Sequence, residues 1–401
     1  MGGKAVPKPN LNGSILNKIK KTAGQLAIPL IALGVLLLFN LICCFVAKTP
    51  DGRPDFTRLN FSNPDFSFFR IGLATDEKGS VLTGSLISII DSASVLAIVA
   101  IGMTLVTASC GGQDISVGAV GSIAGAFFVM MLHPTKEVQL STLTTIAWPN
   151  LILGIFVAIF VAVLFKLFNG MLVAVFKIQP MIATLILFSC GRSIAYYFLF
   201  QMLGVGSIKL DNPIIFAIGK AIPGIPIPTS IFIVIFMGLL VTLIFKRTNL
   251  RLYTQSVGIN QKAARLNGIN PTVVKLLSFV ILGVCVAVAA VVKISNLGTL
   301  TTKSLMDSIE MDAILAVAIG GNNLGGGKFR LSGTILGAYT IQTLTTTLNV
   351  LQVESESMKA YKAIVIIVIM IAGSPVIKNC FTSLKNKRQA SSGAARLKEV
   401  G

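Results

Sequence analysis

Ala100-Ile-Gly-Met-Thr-Leu-Val-Thr-Ala-Ser-Cys-Gly-Gly-Gln-Asp-Ile-Ser-Val-Gly-Ala119 places one carboxylate, Asp114, in a glycine-rich turn between two apolar stretches. The first reaches back to Leu86 and the second runs on to Leu132. Each approaches the roughly 20 mostly apolar residues that a helix needs to cross a bilayer. The reading is a helix from about Leu86 to Ser109, a turn at Cys110 to Asp114, and a returning helix from Ile115 to Leu132. Asp114 can cap that second helix by accepting hydrogen bonds from its free N–H groups. As an intramembrane carboxylate it must otherwise face the bundle interior or water.

The same pattern continues on both sides. The chain has 401 residues, 54% hydrophobic and 12% charged, with a mean hydropathy of +0.83, which is beyond the range of a water-soluble domain. About ten apolar runs qualify as spans. Besides the two above they are Leu26 to Ala47, Leu151 to Phe168, Met171 to Phe200, Thr229 to Phe245, Val273 to Ile294, Asp312 to about Ile319, about Ser332 to Leu351, and Tyr361 to Ile377. The Met171 run is too long for one span and is interrupted by Pro180, which cannot donate a helix-interior hydrogen bond. Pro213, Pro223, Pro226 and Pro228 make Gln201 to Pro228 an irregular outer loop. The Asp312 run is short and ends in Gly320-Gly321 and Gly325-Gly326-Gly327, so a re-entrant segment competes with a full span. Irregular backbone at that depth is tolerated only inside protein or beside water. The glycine turns near Asp114 and Asn322 hint at an internal repeat.

Charge supplies the orientation. The net charge of +19, from 34 Lys and Arg against 15 Asp and Glu, would suggest nucleic acid in a soluble protein. Here the basic residues cluster beside apolar runs: Lys4 to Lys21 before the first, Lys246 to Lys275 in one loop, Lys378 to Lys398 in the tail. Such clusters mark cytoplasmic faces, and alternate threading from an inside start puts all three inside. The expected fold is all-α, a polytopic membrane helix bundle with both termini cytoplasmic. Its parts are a tail at 1–25, a transmembrane domain at 26–377 that includes the cytoplasmic loop 246–272, and a tail at 378–401. The Leu26 run is too long for a signal peptide and reads as a retained anchor.

Chemistry is sparse. The six cysteines lack metal-ligand spacing and read as small buried hydrophobes. With one histidine, His133, no paired catalytic carboxylates and no nucleophile elbow, no enzyme site emerges. Gly325-Gly-Gly-Lys-Phe-Arg330 is not a phosphate loop, because position 322 is Asn and Phe329 stands where Ser or Thr must reach magnesium.

Three segments in this order resemble one family. They are the Asp114 stretch, Ser256-Val-Gly-Ile-Asn-Gln-Lys-Ala-Ala-Arg-Leu-Asn-Gly-Ile-Asn270, and Asp312-Ala-Ile-Leu-Ala-Val-Ala-Ile-Gly-Gly321 with Gly333-Thr-Ile-Leu-Gly337. The combination is similar to the permease subunits of bacterial ABC sugar importers of the ribose/galactoside type. Lys177-Ile-Gln-Pro-Met-Ile-Ala-Thr-Leu-Ile-Leu187 and Gly191-Arg192 look most like galactofuranose-type permeases. The resemblance implies a multi-pass protein of the bacterial cell membrane, surrounded by lipid, that forms the passage for a small sugar. Its implied partners are a separate ATPase that uses ATP and magnesium, an extracytoplasmic sugar-binding protein, and a second permease subunit, identical or paralogous. No cofactor on this chain and no nucleic acid are implied.

Site residues follow from the same likeness. Gly258, Asn260, Ala263, Ala264, Arg265 and Gly268 would form a short coupling helix docking on the ATPase, against the plainer reading of a solvated basic loop. Asp114, Ser116, Gln179, Asn322 and Asn323 are candidates for the substrate path, against helix capping and helix packing. Asp307, Glu310 and Asp312 are expected at the outer mouth, solvated or facing a binding protein. The rival reading is an ion-coupled secondary transporter with Asp114 as the coupling carboxylate.

Overall fold

A computed structural model describes residues 11–48, 54–59, 65–76, 79–132, 142–143, 146–222 and 225–373. Residues 1–10, His133 and the tail 378–401 lie outside the described residues. The helices are α1 (Leu11–Cys43), α2 (Ser85–Cys110), α3 (Val117–Leu132), α4 (Trp148–Ala174), α5 (Pro180–Leu203), α6 (Pro213–Gly219), α7 (Thr229–Arg247), α8 (Leu250–Ile259), α9 (Gln261–Leu266), α10 (Pro271–Leu297), α11 (Ile309–Ile319), α12 (Leu331–Val350) and α13 (Ser355–Gly373). Among the described residues α2, α4, α5, α7 and α10 are each long and apolar enough to cross a membrane, and α3 is a shorter apolar helix.

Short strands accompany the helices, so the all-α expectation needs amending. They are β1 (Val46–Lys48), β2 (Pro54–Leu59), β3 (Gly72–Asp76), β4 (Gly79–Thr83), β5 (Thr142–Leu143), β6 (Ser207–Leu210), β7 (Ala221–Ile222), β8 (Ile225–Pro228) and β9 (Thr299–Thr301). β6 pairs with β5 in parallel and with β9 antiparallel. Three segments distant in sequence thereby meet at one end of the bundle. The opposite end gathers the α2–α3 turn, the α4–α5 junction, the α8–α9 loop and the glycine segment after α11. Alternate threading sorts the same segments in the same way.

Local chemistry explains the boundaries. The break near Pro180 falls between Ala174 and Pro180, with Lys177 at a positive φ of 58° and Pro180 at the first position of α5, where its missing N–H costs nothing. Met171 to Ala174 therefore belongs to α4, not to the following span. Asn260 ends α8 and caps α9, its Oδ1 accepting from the N–H groups of Lys262 at 3.0 Å and Ala263 at 3.1 Å.

The core lies where α10 packs between α2 and α4. Gly102 of α2 faces Leu282 and Gly283 of α10 faces Val163 at distances that leave no room for a Cβ. Close approach of this kind replaces the hydrophobic drive that helices lack in lipid.

Candidate functional site

Asp114 is fully buried. Its Oδ1 accepts from the N–H of Ser116 at 2.8 Å and from the Ser116 hydroxyl at 2.7 Å, so it starts α3 as a local cap. Its Oδ2 pairs with Lys166 Nζ of α4 at 2.8 Å, with both side chains inaccessible. The same ammonium donates to Ser116 Oγ at 2.8 Å, and Asn169 Nδ2 donates to that oxygen at 2.9 Å. Lys166 and Asn169, absent from the sequence candidates, thus complete a closed network that ties the α2–α3 turn to α4.

A second charged cluster lies around Glu310. Between β9 and α11 the chain descends beside α3: Ser122 Oγ donates to the Leu305 carbonyl at 3.0 Å, and a side chain at Gly118 would collide with Glu310 Oε2 and Arg192 Nη2. Gly118 is the second residue of α3, at the end away from Leu132. Arg192 is the thirteenth residue of the 24-residue α5. Glu310, only 3% exposed, is therefore far below the outer mouth where sequence placed it, because residues 302–308 dip into the bundle before α11 starts. Arg192 Nη2 lies 3.5 Å from Glu310 Oε1 and 3.7 Å from Asp307 Oδ1. Asp312 pairs with Lys362 of α13 at 3.0 Å.

The descending segment is strained and polar. Met306 and Ser308 have positive φ angles of 55° and 62°, each costing on the order of 1–3 kcal/mol. Lys303, Ser304 and Asp307 are exposed, and Lys303 Nζ sits 5.0 Å above the Tyr196 ring of α5. The free face of α5 next to them carries Ser189, Ser193 and Tyr197, all exposed. Ile182, Leu185, Ile186 and Phe200 are exposed on α5 as well, so its free face is mixed, whereas the free faces of α4 and α7 present Phe156, Phe160, Phe236 and Leu239, as a lipid-facing surface requires. α5 is held by its other face, where Ala183, Leu187, Gly191, Ala195 and Leu199 recur every fourth residue and are buried.

At the other end, three glycine segments converge. The N–H of Gly327 donates to the Ala108 carbonyl at 3.0 Å, and Gly258 lies so close to that carbonyl and to Gly327 N that a side chain there would collide with both. Gly111 abuts the Gly325 carbonyl, and Gly112 abuts Pro180. The end of α8 is thereby seated on both glycine turns.

The remaining candidates scatter. Asn322 is 7% exposed and knits its own loop, its amide donating to Thr334 Oγ1 at 2.8 Å and its oxygen accepting from Arg330 N at 2.7 Å. Asn323 and Gln179 are exposed, near the glycine turns. In α9, Ala263 and Arg265 are exposed while Ala264 is 2% exposed, buried against Leu250, Val257 and Val274. Gly268 follows α9 with a φ of +77° and open space around it. Leu266, not singled out by sequence, is 90% exposed.

Residues 85–373 match the model of the family described as branched-chain amino acid transport system / permease component. The chain is 35% identical over 294 residues to the galactofuranose transporter permease protein YtfT of Escherichia coli (strain K12), covering 73% of this chain and 80% of that one. It is 32% identical over 319 residues to the fructose import permease protein FruF of Bifidobacterium longum (strain NCC 2705), covering 79% and 85%. Against the ribose import permease protein RbsC of Haemophilus influenzae (strain ATCC 51907 / DSM 11121 / KW20 / Rd) identity is 33% over 290 residues, covering 72% and 84%. No solved structure matches significantly. The chain therefore belongs to the branched-chain amino acid transport system / permease component family and is a membrane-embedded permease subunit of an ABC importer.

Proposed function

We propose that this permease carries a small sugar along the free face of α5 and the descending segment 302–308, with a second permease subunit closing the opposite side. The supporting observation is the juxtaposition of strained, polar backbone at membrane depth with exposed Ser189, Ser193 and Tyr197, since such backbone needs a water-lined cavity beside it. Serine and tyrosine hydroxyls with Lys303 and Asp307 can exchange hydrogen bonds with sugar hydroxyls. The similar permeases, named for galactofuranose, fructose and ribose, favour a sugar over the amino acid of the family description.

The same reading assigns ATP and magnesium to a separate ATPase that docks on α8 and α9 at the cytoplasmic face. There Ala263, Arg265 and Leu266 are presented, Asn260 caps α9, and Gly258 and Gly268 flank the helices. A binding protein would deliver the sugar to the strand-bearing end. About ten crossings with both termini inside complete the proposal, with 26–377 as the permease domain between two cytoplasmic tails. Gln179 and Asn323 sit at the inner exit of the path. Asp114, Ser116 and Asn322 would hold its turns in place without touching sugar. Ion coupling through Asp114 is disfavoured, because Lys166 already neutralises it.

The test is cysteine labelling of the assembled transporter in membranes. Cysteines at Ser189 and Ser193 should react with a water-soluble maleimide and be protected by transported sugar, while one at Phe156 stays unlabelled. Equal labelling at all three positions would remove α5 from the path.

A further inference from the structure

A groove of about 690 Å³ runs between α7 and α12 and reaches Leu26 of α1. The proposed path does not use it. Most of its length is apolar, walled by Val234, Ile235, Leu239 and Ile335. Its end at the α7–α8 loop is cationic, lined by Lys246, Arg251 and Arg330. Phe245 and Phe329 pack edge to face at 4.9 Å between the two regions, and the Arg251 guanidinium stands 6.0 Å over the Phe329 ring. The basic side chains form no ion pair with a described carboxylate, the pairs of the described residues lying elsewhere. The stretches that carry these cations hold none, for no Asp or Glu occurs between Asp211 and Asp307 or between Asp312 and Glu354, and Asp91 is engaged with Ser230 at the opposite end of α7.

An apolar channel with uncompensated cations at the mouth is complementary to one kind of molecule. We propose that the groove holds an anionic phospholipid, its phosphate at Lys246, Arg251 and Arg330 and an acyl chain along α7 and α12. Basic residues that cluster at the cytoplasmic surface between helices attract anionic headgroups, whereas a zwitterionic lipid would set its ammonium among three cations. Gly238 keeps the channel open: a Cβ there would meet nothing nearer than 4.0 Å, at Ile101 and Ile335. Leucine at this position would fill the acyl site without a backbone clash.

Native mass spectrometry of the full-length, delipidated protein titrated with phosphatidylglycerol tests this. The expected result is retained phosphatidylglycerol, weaker phosphatidylcholine and no inorganic phosphate. Arg251→Gln should weaken phosphatidylglycerol about fivefold, the effect of one basic residue at an anionic surface. Arg247→Gln removes the same charge from a neighbour outside the groove lining and should leave binding unchanged. Gly238→Leu should lower binding with every cation in place, and if that variant fails to fold the two arginine variants still decide. Equal losses in Arg251→Gln and Arg247→Gln would reduce the effect to diffuse charge. Equal binding of phosphatidylcholine would mean ordinary lipid contact, and phosphate binding would mean a free-anion site; any of the three outcomes overturns the proposal.

Discussion

Lys166 and Asp114 meet at 2.8 Å, 52 residues apart in sequence, with neither side chain reachable by solvent. Removing one member of such a pair leaves an uncompensated buried charge, at a cost of about 3–5 kcal/mol, while replacing both with apolar groups is far milder. Asp114→Leu or Lys166→Met alone should sharply lower the detergent-solubilised unfolding midpoint. The double variant should recover most of the loss, and a double variant as unstable as the sum of the singles would show that the two do not act as a pair.

Arg192 of α5 is the cation nearest to Glu310. Arg192→Met leaves that 3%-exposed carboxylate without its partner and is expected to cut sugar uptake at least tenfold, an effect of about 1.4 kcal/mol or more. Glu310→Gln, which removes the charge and keeps the shape, should be milder. Uptake assays in vesicles with matched protein levels compare the two.

Ala264 and Leu266 separate folding from docking. Ala264→Glu buries a charge against Leu250, Val257 and Val274 and should destabilise the α8–α9 loop. Leu266→Glu changes a side chain that is 90% exposed; the fold should survive while co-purification of the ATPase falls. Unimpaired co-purification of Leu266→Glu would move the docking surface elsewhere.

Gly258→Ala forces a methyl group against the Ala108 carbonyl and Gly327 N. Overpacking of this kind costs typically about 1–3 kcal/mol. Transport should drop with little change in the amount of protein inserted, measured by uptake against immunoblot. Gly268→Ala, which meets open space but keeps a positive φ, should cost about 1–2 kcal/mol and affect transport less than Gly258→Ala.

Much of this architecture is legible from residue patterns. Apolar length marks α2, α4, α5, α7 and α10, Pro180 marks the α4–α5 break within a few residues, and Asn260 with the residues after it marks α9. What escaped is long-range. Lys166 sits in the run Leu164-Phe-Lys-Leu-Phe168, and a lone lysine in an apolar helix is itself a signal of a buried partner, but the identity of that partner depends on how α4 crosses α3. The depth of Glu310 is hidden for a related reason: the dip of residues 302–308 depends on α3 offering Gly118 and Gly121, and its short polar sequence reads like any surface loop. Ala264 reads as a docking residue because small side chains permit close approach from either direction, and composition does not say whether the neighbour is another protein or the chain's own α10.

The contact at Ala108 has a mechanical consequence. The Ala108 carbonyl accepts from the N–H of Gly327 and abuts Gly258, so main chain meets main chain at the end of α8, with the Ile259 side chain packed on Gly327 beside it. Linkages through long side chains absorb small displacements by changing rotamer, whereas main chain against main chain has less play. A displacement of α8, whatever its source, is therefore passed to the ends of α2 and α11 mainly through backbone contact rather than through side-chain rotamers.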